Sequence, residues 1–194
     1  MKKASFLRLT SILCIVLFTQ ACSKASDESA HQNISLSSSA LELHDRILTL
    51  DSHADTPLRL IEPGFDLAER HDPHETGSKL DYPRMIEGGL DAVFFAAFVA
   101  QGIRDDDGHT RARELALQML DAVWASAEKN SDIVGIALNP EDAAVLEAKG
   151  KRAIYLSIEN GYPIGNDLKN VELFYNKGVR YCLLYTSPSP RDDR

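Results

Sequence analysis

Between residues 41 and 181 the chain alternates two hydrophobic patterns. The first is a set of short apolar runs: Ile47–Leu50, Leu90–Val99, Ile133–Ala137, Ala153–Ile158 and a run that opens at Val179. Continuous runs of this length read as strands buried on both faces, the pattern of a parallel sheet. The second is helical. Thr110–Lys129 is rich in Ala and Leu and sets Leu115, Met119, Ala122 and Val123 on one stripe. Asn139-Pro140-Glu141-Asp142 joins a capping residue, a first-turn proline and acids at the positive end of the dipole, and its helix should stop at Lys149-Gly150. Asp167–Lys177 repeats the form, with Leu168, Val171, Phe174 and Tyr175 predicted inward and Gly178 as its stop. Tyr82–Gly89 is a shorter helical turn.

Strands alternating with helices imply right-handed βα units on a parallel sheet. About four units and a fifth strand are predicted. A complete (β/α)8 barrel takes ~250 residues, so the expected fold is the N-terminal half of a TIM-type barrel. A doubly wound sheet is the alternative; the first strand is not followed by a Gly-rich phosphate loop, which counts against it.

The first residues read differently. Lys2, Lys3 and Arg8 precede an apolar stretch, Leu9 to Phe18, which is too short for a membrane span of ~20 residues. Thr19-Gln20-Ala21-Cys22 closes it with a small residue before cysteine. Residues 1–22 are therefore expected to be a lipoprotein-type signal peptide, with lipid on Cys22, and residues 23–40, rich in Ser, Ala and Asp, a flexible tether. The expected location is that of an exported bacterial lipoprotein, membrane-anchored facing the periplasm, or of a secreted protein. Cys14 falls in the signal and Cys22 at the lipid, leaving Cys182, so no disulfide framework is expected.

A hydrophobic content of 44% and a charged content of 26% suit a globular domain, and the net charge of −8, with no Lys/Arg cluster past the N-terminus, argues against a nucleic-acid partner. The acidity fits a chain that gathers carboxylates for divalent metals. Asp51-Ser52-His53-Ala54-Asp55 follows the first apolar run. Residues two apart on extended backbone point the same way, so His53 and Asp55 present an imidazole and a carboxylate to one point, a donor pair suited to Zn²⁺. A hydrogen-bonded pair or a helix cap would use the same residues. The run Ala153 to Ile158 ends in Glu159-Asn160-Gly161. If the strands are parallel, Glu159 reaches the rim that His53 and Asp55 occupy, and a carboxylate can bridge two ions; a solvated strand-end acid is the plain alternative.

Three blocks in order carry a further likeness: Leu50-Asp51-Ser52-His53-Ala54-Asp55-Thr56-Pro57; Asp81-Tyr82-Pro83-Arg84-Met85-Ile86-Glu87-Gly88-Gly89-Leu90-Asp91-Ala92-Val93-Phe94-Phe95; and Ser157-Ile158-Glu159-Asn160-Gly161 with Lys177-Gly178-Val179-Arg180-Tyr181. Over residues 41–181 the chain resembles the membrane dipeptidase (renal dipeptidase) family. The resemblance implies a (β/α)8 barrel with two Zn²⁺ ions, dipeptide substrates and metal-assisted hydrolysis. It implies that His53 and Asp55 bind one ion and that Glu159, the catalytic carboxylate, bridges both. A homodimer is an expectation for the complete protein. The other readings are a different TIM-barrel hydrolase of the amidohydrolase type, whose His-x-His pattern Asp55 breaks, and a non-catalytic lipoprotein.

The likeness stops at Tyr181. Residues 182–194, Cys-Leu-Leu-Tyr-Thr-Ser-Pro-Ser-Pro-Arg-Asp-Asp-Arg, read as the translation of a sequencing adapter, so the family's later metal-binding histidines are not expected here and the chain as given is expected to be inactive. His71 and His74 fall in a polar loop expected to be solvated, His109 beside acids expected to cap a helix, His44 on a short helix and His31 in the tether. Trp124 is expected to pack.

Overall fold

The computed structural model describes residues 38–183. The expected signal segment, Cys22, His31, most of the tether and residues 184–194 lie outside them. The described chain opens with helix α1 (Ser38–His44), three residues ahead of the expected domain start, and passes to strand β1 (Leu50–Ala54). Three short helices follow: α2 (Pro57–Leu60), α3 (Pro73–Thr76) and α4 (Tyr82–Glu87). Strand β2 (Ala92–Phe98) leads to the long helix α5 (Asp106–Lys129), then to strand β3 (Val134–Ile136) and helix α6 (Pro140–Glu147). Strand β4 (Arg152–Glu159), helix α7 (Lys169–Asn176) and strand β5 (Val179–Leu183) complete it. Among the described residues no helix is long and apolar enough to cross a membrane.

The helix starts follow local chemistry. Asp105 caps α5 by accepting from the Gly108 amide, and Asp81 caps α4 by accepting from the Arg84 amide. At α6 the Asp142 carboxylate accepts from the amides of Leu138 (2.7 Å) and Asn139 (2.9 Å), and these bonds hold its pKa below the usual carboxylate range. Helix α7 ends where Gly178, at φ 98°, turns the chain into β5.

All strand pairs are parallel. β4 pairs with β2 along its whole length, from Ala92↔Ala153 to Phe98↔Glu159. Its other edge is shared: β3 takes Arg152 to Ile154 and β5 takes Leu156 to Glu159. The main path is therefore β1-β2-β4-β5, advancing in one direction. The strand predicted over Ile133–Ala137 is present but shorter than expected. It is three residues long, sits beside the base of β4, and leaves the upper edge for β5.

The two faces of the sheet are covered unequally. Val93, Phe95, Ile154, Leu156 and Ile158 alternate onto one face and pack with Met119, Leu120 and Val123 of α5 and Phe174 of α7. The opposite face carries Ala92, Ala153 and Tyr155, packed with Ala143 and Leu146 of α6. A sheet wound one way, with the long helix α5 along one face, is barrel geometry; a doubly wound sheet would reverse direction. The α5 stripe is rotated from the predicted one. Met119 and Val123 are buried as expected and Leu115 packs at the margin of the core, but Ala112, Ala116 and Leu120 complete the buried stripe. On α7 only Phe174 is buried; Val171 and Tyr175, and Leu168 just before the helix, are exposed.

At the lower end of the sheet one carboxylate ties three strands. Asp91 accepts from the Thr49 amide and hydroxyl (2.9 Å each) and pairs with Arg152 at 3.0 Å. The starts of β1, β2 and β4 are thus held level, which fixes the height of their far ends.

Candidate metal centre

β1 differs from its prediction in a way that matters for the site. The apolar run Ile47–Leu50 is not the strand; the strand starts at Leu50 and includes His53, with Asp55 one residue past its end. β2 begins at Ala92 and pairs with Leu50, so Ile47 and Leu48 have no β2 residue opposite them and are exposed. The ladder is irregular between Asp51 and Ala54. Glu159 is the last residue of β4. It lies on the same face as Tyr155 and Ser157, by strand alternation, and so opposite the α5 layer.

His53, Asp55 and Glu159 converge. His53 Nε2 lies 3.2 Å from Asp55 Oδ1 and 3.0 Å from Glu159 Oε2. One ligand atom from each falls within 4.8 Å of the other two, the single such group of His, Cys, Asp and Glu among the described residues. Donors of one tetrahedral ion at ~2.0–2.2 Å stand about 3.4 Å apart, so small side-chain adjustments bring these three onto one ion. β1 and β4 are not neighbours; β2 runs between them, and the three side chains meet above its end. The pair reading of His53 and Asp55 is present as a contact, but it does not account for Glu159.

The electrostatics are those of a site that wants a cation. Glu159 is 8% exposed. Burial pushes its pKa up, the facing Asp55 carboxylate pushes it further, and His53 opposes both without reversing them. Two carboxylates thus share one imidazole nitrogen. His53 Nδ1 is buried without a hydrogen-bond partner among the described residues.

Asn160, which sequence reasoning passed over, shapes the end of β4. It is the one non-glycine among the described residues at positive φ, 61°, and is 1% exposed. Its side-chain amide donates to Val99 O (2.7 Å) and its side-chain oxygen accepts from the Tyr162 amide (2.8 Å). An Asn between a strand-end acid and a glycine is a turn signal that could have marked it.

The remaining histidines stay apart from the cluster. His71 is buried, against its expected solvation: its ring stacks on Phe65 at 4.5 Å and its Nε2 lies 2.7 Å from Asp66 O. His109 Nδ1 lies 3.0 Å from Tyr162 O on the second turn of α5, and His44 Nε2 lies 3.1 Å from Gly88 O. His74 is exposed on α3. Trp124 packs at the α5–α7 corner and donates to Lys177 O (2.9 Å) while keeping 39% of its surface exposed.

Residues 37–188 match the family profile of the membrane dipeptidases, peptidase family M19. The chain belongs to that family. Among solved structures it is similar to the probable dipeptidase PvdM from Pseudomonas aeruginosa, at 28% identity and a TM-score of 0.66, over 77% of this chain and 37% of that one. It is similar to dipeptidase AC, a metallopeptidase of family M19, at 25% identity and a TM-score of 0.61, over 73% of this chain and 44% of that one. A metallopeptidase from Rhodobacter sphaeroides, solved with a phosphinate mimic of the dipeptide L-Ala-D-Ala, shares the fold at 22% identity and a TM-score of 0.59, over 73% and 46%. No curated protein matches. The chain spans less than half the length of each of these solved relatives, and its four-strand path is the N-terminal half of the TIM-type barrel.

Proposed function

We propose that the full-length protein is a zinc-dependent dipeptidase in which His53, Asp55 and Glu159 hold metal. The observation that carries this is the convergence of a buried carboxylate, a second carboxylate and an imidazole on one point at the C-terminal end of a parallel sheet, where barrel enzymes keep their chemistry. The donor set is one nitrogen and two carboxylates, suited to a borderline divalent ion. The repulsion that raises Glu159 is what a cation there would relieve. His53 and Asp55 would hold one ion, and the two Glu159 oxygens would face it and a second. Bound Zn²⁺ would supply an activated water and polarise the scissile carbonyl. The chain's own residues set where this happens: Glu159, shielded from solvent, is placed to take the proton from the attacking water. Lipid attachment at Cys22, a periplasm-facing location and a homodimer belong to the same reading, supported by the Thr19-Gln20-Ala21-Cys22 signal pattern and by family likeness.

Taken alone, the described residues offer one ion three donors and a second ion what Glu159 can share. We infer that they do not turn over dipeptides unaided. The test is full-length protein stripped of metal, resupplied with Zn²⁺ and assayed on a dipeptide panel that includes C-terminal D-residues. Turnover should return with Zn²⁺; a protein that gains no activity from any divalent metal would refute the reading.

A further inference from the structure

Resting on the metal-centre reading, we propose that Asn160 is a positioning residue for Glu159: its left-handed backbone and two side-chain hydrogen bonds fix the height at which the carboxylate meets His53.

Glu159 has to face a residue two strands away. Its position relative to β1 is transmitted through β2, and the last backbone pair of the β2–β4 ladder is Phe98↔Glu159. One residue later the chain leaves the strand through φ 61°, so regular pairing ends there. The Asn160 side chain supplies what the backbone no longer can. Its amide reaches Val99 O, one residue past the end of β2, and adds a rung directly above Glu159. Its backbone amide donates to Leu183 O on β5, and its oxygen holds the Tyr162 amide in the outgoing loop. One residue therefore anchors the strand end to both neighbouring strands and to the loop.

The residue type is informative. Glycine enters the left-handed region freely, and asparagine is among the few other residues that enter it at modest strain. A position that only had to turn would be served by glycine. Asparagine keeps the turn and adds a donor and an acceptor, both used and both buried. The irregular β1–β2 ladder between Asp51 and Ala54 makes this anchoring matter more, since β1 gives His53 little regular pairing of its own.

The experiment compares Asn160→Gly, Glu159→Gln, Gly165→Ala and wild type in the full-length, metal-stripped protein. Gly165 sits at φ 63° in the same loop, and a Cβ there would meet His109 of α5 rather than Glu159, so its substitution strains the loop and its packing on α5. Each protein is titrated with Co²⁺, read by the visible ligand-field band, and melted. Asn160→Gly keeps the backbone conformation accessible, and should bind Co²⁺ at least tenfold more weakly with a shifted band. Gly165→Ala should lower the melting temperature and leave both Co²⁺ readouts unchanged. Wild-type affinity and band in Asn160→Gly, with Glu159→Gln impaired, would overturn the positioning role alone. Wild type that fails to bind Co²⁺, or Glu159→Gln that binds like wild type, would overturn the metal centre and the positioning role with it. Should Asn160→Gly not fold, Asn160→Ser, which keeps one hydrogen-bonding group, is read by the same criteria.

Discussion

Asp81, at the start of α4, and Glu159, at the end of β4, are both carboxylates withdrawn from solvent, 0% and 8% exposed. Asp81 is fully answered. It accepts from the His71 amide (2.9 Å), the Arg84 amide (2.8 Å) and the Arg84 guanidinium (2.7 Å). Burial alone would push its pKa up, yet these donors and the Arg84 charge hold it below the usual range. Glu159 shares a single imidazole nitrogen with Asp55 and is pushed the other way. A buried charge that the fold has surrounded with donors is architecture. A buried charge left facing a like charge is a place where the fold waits for something positive.

The largest expected effect separates the two by activity. In the full-length protein Glu159→Gln should lower dipeptidase turnover by about 10³-fold or more, because it removes the charge proposed to hold metal and to accept the water's proton. The melting temperature of the metal-free variant should stay level or rise, since the repulsion with Asp55 is gone. A steep loss of metal-free stability would mean that Glu159 is structural, like Asp81, and the comparison would fail.

Asp81→Ala should do the reverse. Removing one partner of a buried, hydrogen-bonded ion pair destabilises by roughly 3–5 kcal/mol. Chemical denaturation should show the loss, while Co²⁺ affinity measured on the folded fraction holds. The sign with pH follows from the lowered folded value. The contribution of Asp81 is complete above its unfolded value of ~3.9 and disappears as pH falls through the folded one. The wild type should therefore lose stability below about pH 4 more steeply than Asp81→Ala does. Parallel acid limbs in the two proteins would contradict the assignment.

The sequence made most of this frame legible, for reasons visible in particular residues. The β2 and β4 runs are long, continuous and apolar, so their strands fall within one or two residues of the prediction. Pro140 with Glu141 and Asp142, and Gly178, mark α6 and the end of α7 by chemistry that acts within one turn. His53, Asp55 and Glu159 meet as expected because parallel strands bring their C-terminal ends to one rim. What stayed hidden depended on contacts distant in sequence. β1 is displaced onto the His53 motif because pairing with β2, not apolar content, decides where a strand lies. The role of β3 follows from which stretch of the β4 edge remains free. Leu168, Val171 and Tyr175 form a helical stripe with Phe174, but periodicity cannot say whether anything packs on it. His71 lies in a segment of polar composition, and only the fold places Phe65 and Asp66 against its ring.

The smallest effect tests whether closeness to the site is enough to make a buried polar group functional. Ser157 lies two residues before Glu159 on the same face of β4, is 0% exposed, and donates to Phe95 O at 3.1 Å. By the logic drawn from Asp81 it is structural, because its one donor is matched and it carries no charge. Ser157→Ala removes a neutral hydrogen bond, worth about 1 kcal/mol net, and leaves Phe95 O short of one donor. Denaturation should report a loss of that size. Co²⁺ affinity, the ligand-field band and dipeptidase turnover should stay within about twofold of wild type, since 1 kcal/mol of stability far from unfolding leaves the folded population unchanged. A tenfold loss of metal affinity in Ser157→Ala would show that the whole upper face of β4 sets the Glu159 carboxylate, and that the answered and unanswered groups of this strand act as one unit.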